Sequence, residues 1–313
     1  MTENLEGRVL AALHRPVEEP VRAFAALLAE QAESAGTRVA AVLFYGSNLR
    51  TGSLEGVLDF YILAEGPQVE RIWPRVSYHE WTHAGVPLRA KVASMALDTF
   101  HAAASGALRD TTIWARFVQP SALAWQRDDQ AVARVADAVA QAARTAARLA
   151  VALGPESGTA QDYWRALFRA TYRAEFRVEK AGREDSILSA NAEHFDGLLT
   201  LALAADDIDF ARIGPEGTIR PQLDPAMRAR VLRWWAQRQR LGKPYNVLRL
   251  LKASTTFEGA SRYAAWKIER HTGVPVKITP WRERHPVLSA PGVLWHVWRR
   301  KKAAARSEGP SKA

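Results

Sequence analysis

The chain has no cysteine, which excludes disulfides and thiolate metal sites and is compatible with a reducing cytoplasm. It has no apolar run approaching the length that crosses a bilayer, so a transmembrane helix is not expected. Its first residues, MTENLEGRVL, lack the basic-then-apolar order of a signal peptide. Neither a Gly-x-Gly-x-x-Gly loop nor a Walker-type Lys-Ser/Thr loop occurs, which removes the Rossmann and P-loop readings. Among 8 histidines, His79 and His83 are the only close pair at helical spacing, with no partner acid in sight, so a zinc site is not expected. No internal repeat is visible. Acid is also in short supply: 43 Lys and Arg against 33 Asp and Glu leave a formal charge of +10. Such an excess suits a polyanionic partner, whether nucleic acid, anionic lipid or nucleotide phosphate, and equally an Arg-rich chain from a GC-rich genome.

What is present divides the 313 residues into two textures. Residues 5–35 read as amphipathic helix interrupted near Pro16 and Pro20. Residues 39–45 (VAAVLFY) and 58–64 (LDFYILA) are short β-branched and aromatic runs bounded by Gly, which suits strands. Residues 86–95 (VPLRAKVASM) alternate apolar and basic, as a strand with one face on a core does. Residues 114–120 (WARFVQP) read as a turn feeding another short strand. After Asp128, Ala-rich segments at 129–153, 161–180, 186–205 and 225–241 have helical periodicity, and 244–272 reads as helix broken near 255–259. The expected fold class is α+β, with a mixed sheet in residues 1–127 followed by an all-helical domain in 128–285. Residues 286–313 are expected to form a basic amphipathic helix and tail.

The stretch VLFYGSNLR ends an apolar strand in Gly46-Ser47, and Asp59 follows about a dozen residues later inside the next one. Gly has no side chain to hold a phosphate away, and the turn presents backbone N–H groups and the Ser47 hydroxyl. A carboxylate on the adjoining strand can hold Mg²⁺ against the same phosphates. This order is the one used by the polymerase-β-like nucleotidyltransferases; a loop between two buried strands, with Asp59 at the surface, satisfies it too. The place of a second acid is taken by Tyr61, a poor Mg²⁺ ligand. The third strand offers Arg89 and Lys91, which suit phosphate instead.

Several pieces taken in order resemble the mitochondrial-type, soluble phosphatidate cytidylyltransferase family, also called CDP-diacylglycerol synthase. FYGS (44–47) and LDFYIL (58–63) resemble its Tyr-Gly-Ser turn and its single-Asp strand, and Lys91 resembles the Lys of its next strand. WARFVQP (114–120) resembles its Gly-Arg-Leu-x-Lys-Pro-Val stretch through Arg116 and Pro120, with Gln119 where the family has Lys. TYRAEFRV (171–178) resembles Ser-Tyr-x-Gly-Asp-Phe-Arg-Met, keeping an acid at Glu175 and a cation at Arg177. KASTT (252–256) resembles its Lys-Gly-x-x-Thr, with Tyr263 and Lys267 beyond it.

The resemblance implies Mg²⁺-dependent transfer of CMP from CTP to phosphatidate, giving CDP-diacylglycerol and pyrophosphate. It implies Asp59 and Glu175 as metal ligands, with Asp59, Glu175 and Lys91 as the catalytic set. Gly46, Ser47, Arg116, Arg177 and Lys252 would then bind nucleotide. Glu175 also fits an intrahelical ion pair with Arg173, Arg177 or Lys180. Near the end, Trp295 and Trp298 precede Arg299, Arg300, Lys301 and Lys302, a pattern that suits an interfacial helix on an anionic membrane or a helix packed on its own domain. A cytoplasmic protein, peripheral on the inner face of the membrane, follows from that reading. Nucleic acid is not an expected partner, because aromatics are not interleaved with cations along a groove. Another phosphorylated acceptor, or a non-catalytic nucleotide- or lipid-binding relative with a decayed metal site, remains the alternative.

Overall fold

The computed structural model describes residues 4–110, 112–174, 182–214, 217–256, 258–284, 289, 292–293, 295–296 and 298–300. Two helices open the chain, α1 (Leu5–Leu13) and α2 (Glu19–Ser34); the break between them contains Pro16, while Pro20 sits in the first turn of α2, where its missing N–H costs no hydrogen bond. Asn4 caps α1 by accepting from the Gly7 amide at 2.8 Å. Then come β1 (Val39–Tyr45), the single turn α3 (Ser47–Thr51), β2 (Leu58–Ala64), β3 (Arg75–His83) and β4 (Val86–Ala96). Two more helices, α4 (Leu97–Ala104) and α5 (Thr112–Phe117), lead to β5 (Ser121–Gln126).

The strands form one mixed sheet in the order β3-β4-β2-β1-β5, with β2 and β4 parallel and the other neighbours antiparallel. Because successive side chains alternate between faces, the sheet builds two cores. Val42, Phe44, Phe60, Ile62 and Val92 pack under α2, where Phe24 meets Phe60 edge-on at 5.9 Å. Leu43, Tyr61, Leu63, Ala93 and Met95 face the helices that follow. These are α6 (Asp129–Leu153), α7 (Ala160–Ala174), α8 (Arg183–Ala190), α9 (Ala192–Phe195) and α10 (Leu198–Ala205). After a hairpin of β6 (Phe210–Ile213) and β7 (Thr218–Pro221) come α11 (Pro225–Thr256), α12 (Ala260–Thr272) and α13 (Pro280–Arg284).

Helix α6 is the axis of the second core. Asp128 caps it by accepting from the Ala131 amide at 2.8 Å. Its many buried alanines carry little bulk, so α4, α5, α7, α10 and α11 all pack closely against it. The buried cluster runs without a break from the sheet through α6 to Leu203 and Trp235.

Four local expectations are corrected. The part expected to be all helix contains the β6–β7 hairpin, paired from Phe210 to Pro221. WARFVQP is not a turn, because Trp114–Phe117 are the body of α5, started by Asp110 accepting from the Thr112 and Ile113 amides at 3.1 and 3.0 Å. Helix α11 continues through Pro244 to Thr256. His79 and His83 sit on β3 rather than a helix; His79 meets Ser77 Oγ at 2.8 Å and His83 meets Glu19 of α2 at 3.0 Å.

His194 gives the fold an acid-sensitive joint. Its Nε2–H donates to the Val118 carbonyl at 2.9 Å, tying α9 to the end of α5. Burial pushes its pKa down to about 4; the Val118 hydrogen bond opposes this, and the positive Arg15 and Arg8 add to the depression. A depressed folded pKa means that stability is whole above the ordinary histidine value of about 6.5 and is lost as pH falls towards 4. The unfolding free energy measured from pH 7 to 4 should therefore fall less in His194→Gln than in the native chain, by on the order of 2 kcal/mol. Identical profiles would mean that the imidazole is not the group responsible.

Candidate functional site

The site begins with strand register. Tyr45 of β1 is the partner of Asp59 on β2, and Asp59 is the partner of Lys91 on β4. Three neighbouring strands thus set the Gly-Ser turn, the carboxylate and the ammonium side by side on one face. Gly46 leaves β1 with φ of 91°, a left-handed conformation that glycine adopts without strain. A Cβ at that position would lie 2.9 Å from Asp59 Oδ2. Only glycine lets the turn close on the carboxylate.

The residues after Gly46 alternate between holding and presenting. Asn48 is buried and spends its amide on the Ser53 and Glu55 carbonyls, at 2.7 and 2.8 Å, which fixes the loop towards β2. Ser47 and Arg50, one helical turn apart on α3, both line a cleft of about 640 Å³. Arg116 arrives from the last turn of α5, its guanidinium 5.5 Å from the centre of the Tyr45 ring. The opposite wall is Phe168, Thr171 and Tyr172 of α7, with Ile187 and Asn191. That volume lies within the range of small-molecule sites.

Helix α5 is held in place by a second network. The buried Asp110 that starts it pairs with Arg249 of α11 at 2.6 Å, and Trp114 Nε1 donates to the Asp110 carbonyl at 3.0 Å. Arg238 of α11 donates to the Gly106 and Leu108 carbonyls, both at 2.6 Å. Helix α11 therefore fixes the segment that delivers Arg116.

Asp59 is the only carboxylate among the described residues that line the cleft, facing the cations Arg50, Lys91 and Arg116. Burial pushes its pKa up, and the attraction of Lys91 and Arg116 recovers only part of that shift. Among the described lining residues, three cations face one acid whose ionised form burial disfavours, a balance that can hold an anion. Tyr61, where a second acid would stand, is fully buried. Its hydroxyl donates to Met95 Sδ at 3.2 Å, and its ring packs edge-on against Phe117 at 5.4 Å. Tyr61 supports the end of α5 from below and presents nothing to the cleft.

Of the residues expected at the site, Gly46, Ser47, Asp59, Lys91 and Arg116 come together. Lys252 does not line the cleft; its ammonium donates to Glu70 and to the Ile72 carbonyl. Glu175 and Arg177 lie outside the described residues, as do Lys301 and Lys302, while Thr171 and Tyr172 just before them form cleft wall. Among the described residues no three His, Cys, Asp or Glu form a cluster able to hold a metal. Trp295 and Trp298 are each 57% exposed, and the Arg299 guanidinium sits 4.7 Å from the Trp295 ring centre. No described helix is long and apolar enough to cross a membrane.

Arg50, Tyr172 and Asn191 were not expected. Arg50 had a signal in its spacing from Ser47, and Tyr172 stood inside the TYRAEFRV segment already singled out; Asn191, which follows α8, had none, since only tertiary packing brings it there.

No family model and no curated protein matches the chain.

The raised pKa of Asp59 fixes a sign. Between the unfolded and folded values the native state binds the extra proton, so stability falls as pH rises through that window, and ionised Asp59 costs stability at neutral pH. Asp59→Asn should therefore raise the unfolding midpoint at pH 7 by roughly 1–3 °C, with the gain vanishing in acid. Gly46→Ala should lower it, through strain at φ 91° and the clash with Asp59. A drop in the midpoint of Asp59→Asn would make the carboxylate a structural group.

Proposed function

We propose that the cleft binds a nucleoside triphosphate and transfers its nucleotidyl group. The reading is carried by one observation: Gly46, Ser47, Asp59, Lys91 and Arg116, drawn from the turn after β1, α3, two further strands and α5, line a single cationic cleft. A mixed sheet in which a Gly-Ser turn and its short helix adjoin an Asp on the next strand supports the polymerase-β-like nucleotidyltransferase fold for residues 1–127. The helices of 128–285 then supply the other wall.

In this reading the turn amides, the Ser47 hydroxyl and Arg50 hold the triphosphate, while Lys91 and Arg116 balance charge that builds on the phosphoryl oxygens. An acceptor phosphate oxygen forms a bond to the α-phosphorus. The bond from that phosphorus to the bridging oxygen breaks, and pyrophosphate leaves with the electron pair. Mg²⁺ fits this donor set as an ion that keeps substrate phosphates and water among its ligands and needs few from the protein. Asp59 would hold it, and Glu175 is the proposed second ligand. When bound, it neutralises phosphate charge and aligns the reacting oxygens.

The ordered resemblance of FYGS, LDFYIL, Lys91 and TYRAEFRV to phosphatidate cytidylyltransferases supports CTP as donor and phosphatidate as acceptor. The exposed Trp295 and Trp298 beside Arg299 and Arg300 support contact with an anionic bilayer, where such an acceptor resides. A second reading, nucleotide binding without turnover, is favoured by the burial of Tyr61 at the position of a second acid.

The readings separate in one assay. Protein with Mg²⁺, CTP and phosphatidate vesicles should release pyrophosphate only when lipid is present, and Asp59→Ala should lower the rate by at least about a hundredfold. CTP binding with no lipid-dependent release would favour the second reading, and no CTP binding at all would sink both. Deleting residues 287–313 should weaken vesicle binding several-fold while sparing CTP affinity; equal vesicle binding would remove the membrane contact.

A further inference from the structure

A second groove, of about 370 Å³, lies between the loop after α3, the start of β4 and α12. We infer that it is the subsite for the acceptor, and that it takes a phosphate monoester carried on an apolar group; the inference rests on the nucleotidyl-transfer reading of the main cleft. Its position follows from strand alternation. Arg89 stands two residues before Lys91 on β4, on the same face and about 7 Å away, and Lys91 is the register partner of Asp59. A line of cations thus leads from the reacting end of the cleft into the groove.

Two guanidiniums from different elements meet there around one ring. Arg89 lies 5.7 Å and Arg270 5.3 Å from the centre of the Trp266 ring. Arg89 is steadied from behind by Glu80 at 3.7 Å, and Glu80 itself accepts from the Tyr78 hydroxyl at 2.9 Å. Arg270 is laid against the backbone of the loop after α3: a Cβ on Gly56 would sit 3.0 Å from its Nη1. Among the described residues lining the groove the one acid is Glu55, which is exposed, so two cations face one carboxylate.

The remaining wall is apolar. Leu54, Pro87 and Val86 form it with the face of Trp266, and Val86 is left 38% exposed. Guanidiniums pair with phosphate through paired N–H donors, while an apolar wall beside them offers nothing to free phosphate. The combination selects a ligand with both parts. It also separates the two reactants, with the triphosphate on the Gly46–Ser47 side of the loop and the acceptor on the Leu54–Gly56 side.

Calorimetric titration of the full chain with three soluble probes tests this. Dihexanoyl phosphatidate should bind at least roughly tenfold tighter than glycerol 3-phosphate. Arg89→Ala and Arg270→Ala should each weaken dihexanoyl phosphatidate roughly tenfold and leave CTP affinity unchanged, which also shows that the variants are folded. Arg270→Lys should recover part of the loss. Unchanged phosphatidate affinity in both alanine variants overturns the inference, and equal affinity for the two phosphates overturns the apolar half of it. If the native chain ignores CTP yet its phosphatidate binding still depends on Arg89 and Arg270, the groove stands and the nucleotidyl-transfer reading falls.

Discussion

A carboxylate pressed against a glycine governs the candidate site. Asp59 sits on a buried strand with its Oδ2 where a side chain on residue 46 would have to be. This contact fixes the turn, the turn fixes α3, and α3 fixes which of its residues face the cleft. It is held against an electrostatic penalty, because burial disfavours the ionised acid more than Lys91 and Arg116 favour it. The compensation is mechanical. Tyr45 and Asp59 are register partners in a sheet whose faces are sealed by α2 on one side and α4 to α6 on the other, so neither strand can slide to relieve the charge.

Support for the opposite side of the cleft comes from far along the chain. Arg249 reaches the Asp110 that starts α5, and Arg238 satisfies two carbonyls of the loop before it. Gly242, between them on α11, meets the end of α7 closely enough that a Cβ there would lie 2.5 Å from the Ala174 carbonyl oxygen. One long helix thereby sets both α5, which carries Arg116, and the last described turn of α7, which carries Thr171 and Tyr172. The pairing of Asp110 with Arg249 is largely sealed from water, where loss of one partner strands the other charge. The geometry of the cleft is coupled to α11 although no described residue of α11 lines it.

Charge is distributed with a direction. The cleft gathers Arg50, Lys91 and Arg116 against Asp59, and the face of β4 carries the same sign on through Arg89 to Arg270. Much of the remaining positive charge is spent in surface pairs, such as Arg134 with Glu65 and Asp98, and Arg165 with Asp162 and Asp185. Such exposed pairs contribute little to stability. Part of the +10 excess is therefore gathered around the cleft and the neighbouring groove rather than spent in such pairs.

Local chemistry determined much of this from the sequence alone. The runs at 39–45 and 58–64 read as strands, being short, β-branched and bounded by glycine, and they are β1 and β2; Gly46-Ser47 read as the turn that follows, and there Gly46 caps the short helix that Ser47 opens. The helical texture after Asp128 was equally local, because alanine spacing and an Asp cap act within a few residues. Strand β3 carried no such mark, since its Arg, His, Glu and Trp are sorted only by having α2 on one face and α12 on the other. The hairpin at 210–221 was hidden for the same reason. Tertiary structure alone decided that Tyr61 belongs to the core, that Lys252 is spent on Glu70 and Ile72, and that Asn191 lines the same cleft as Asp59. Those outcomes depend on which distant elements pack together, and burial, unlike periodicity, is a property of the whole chain.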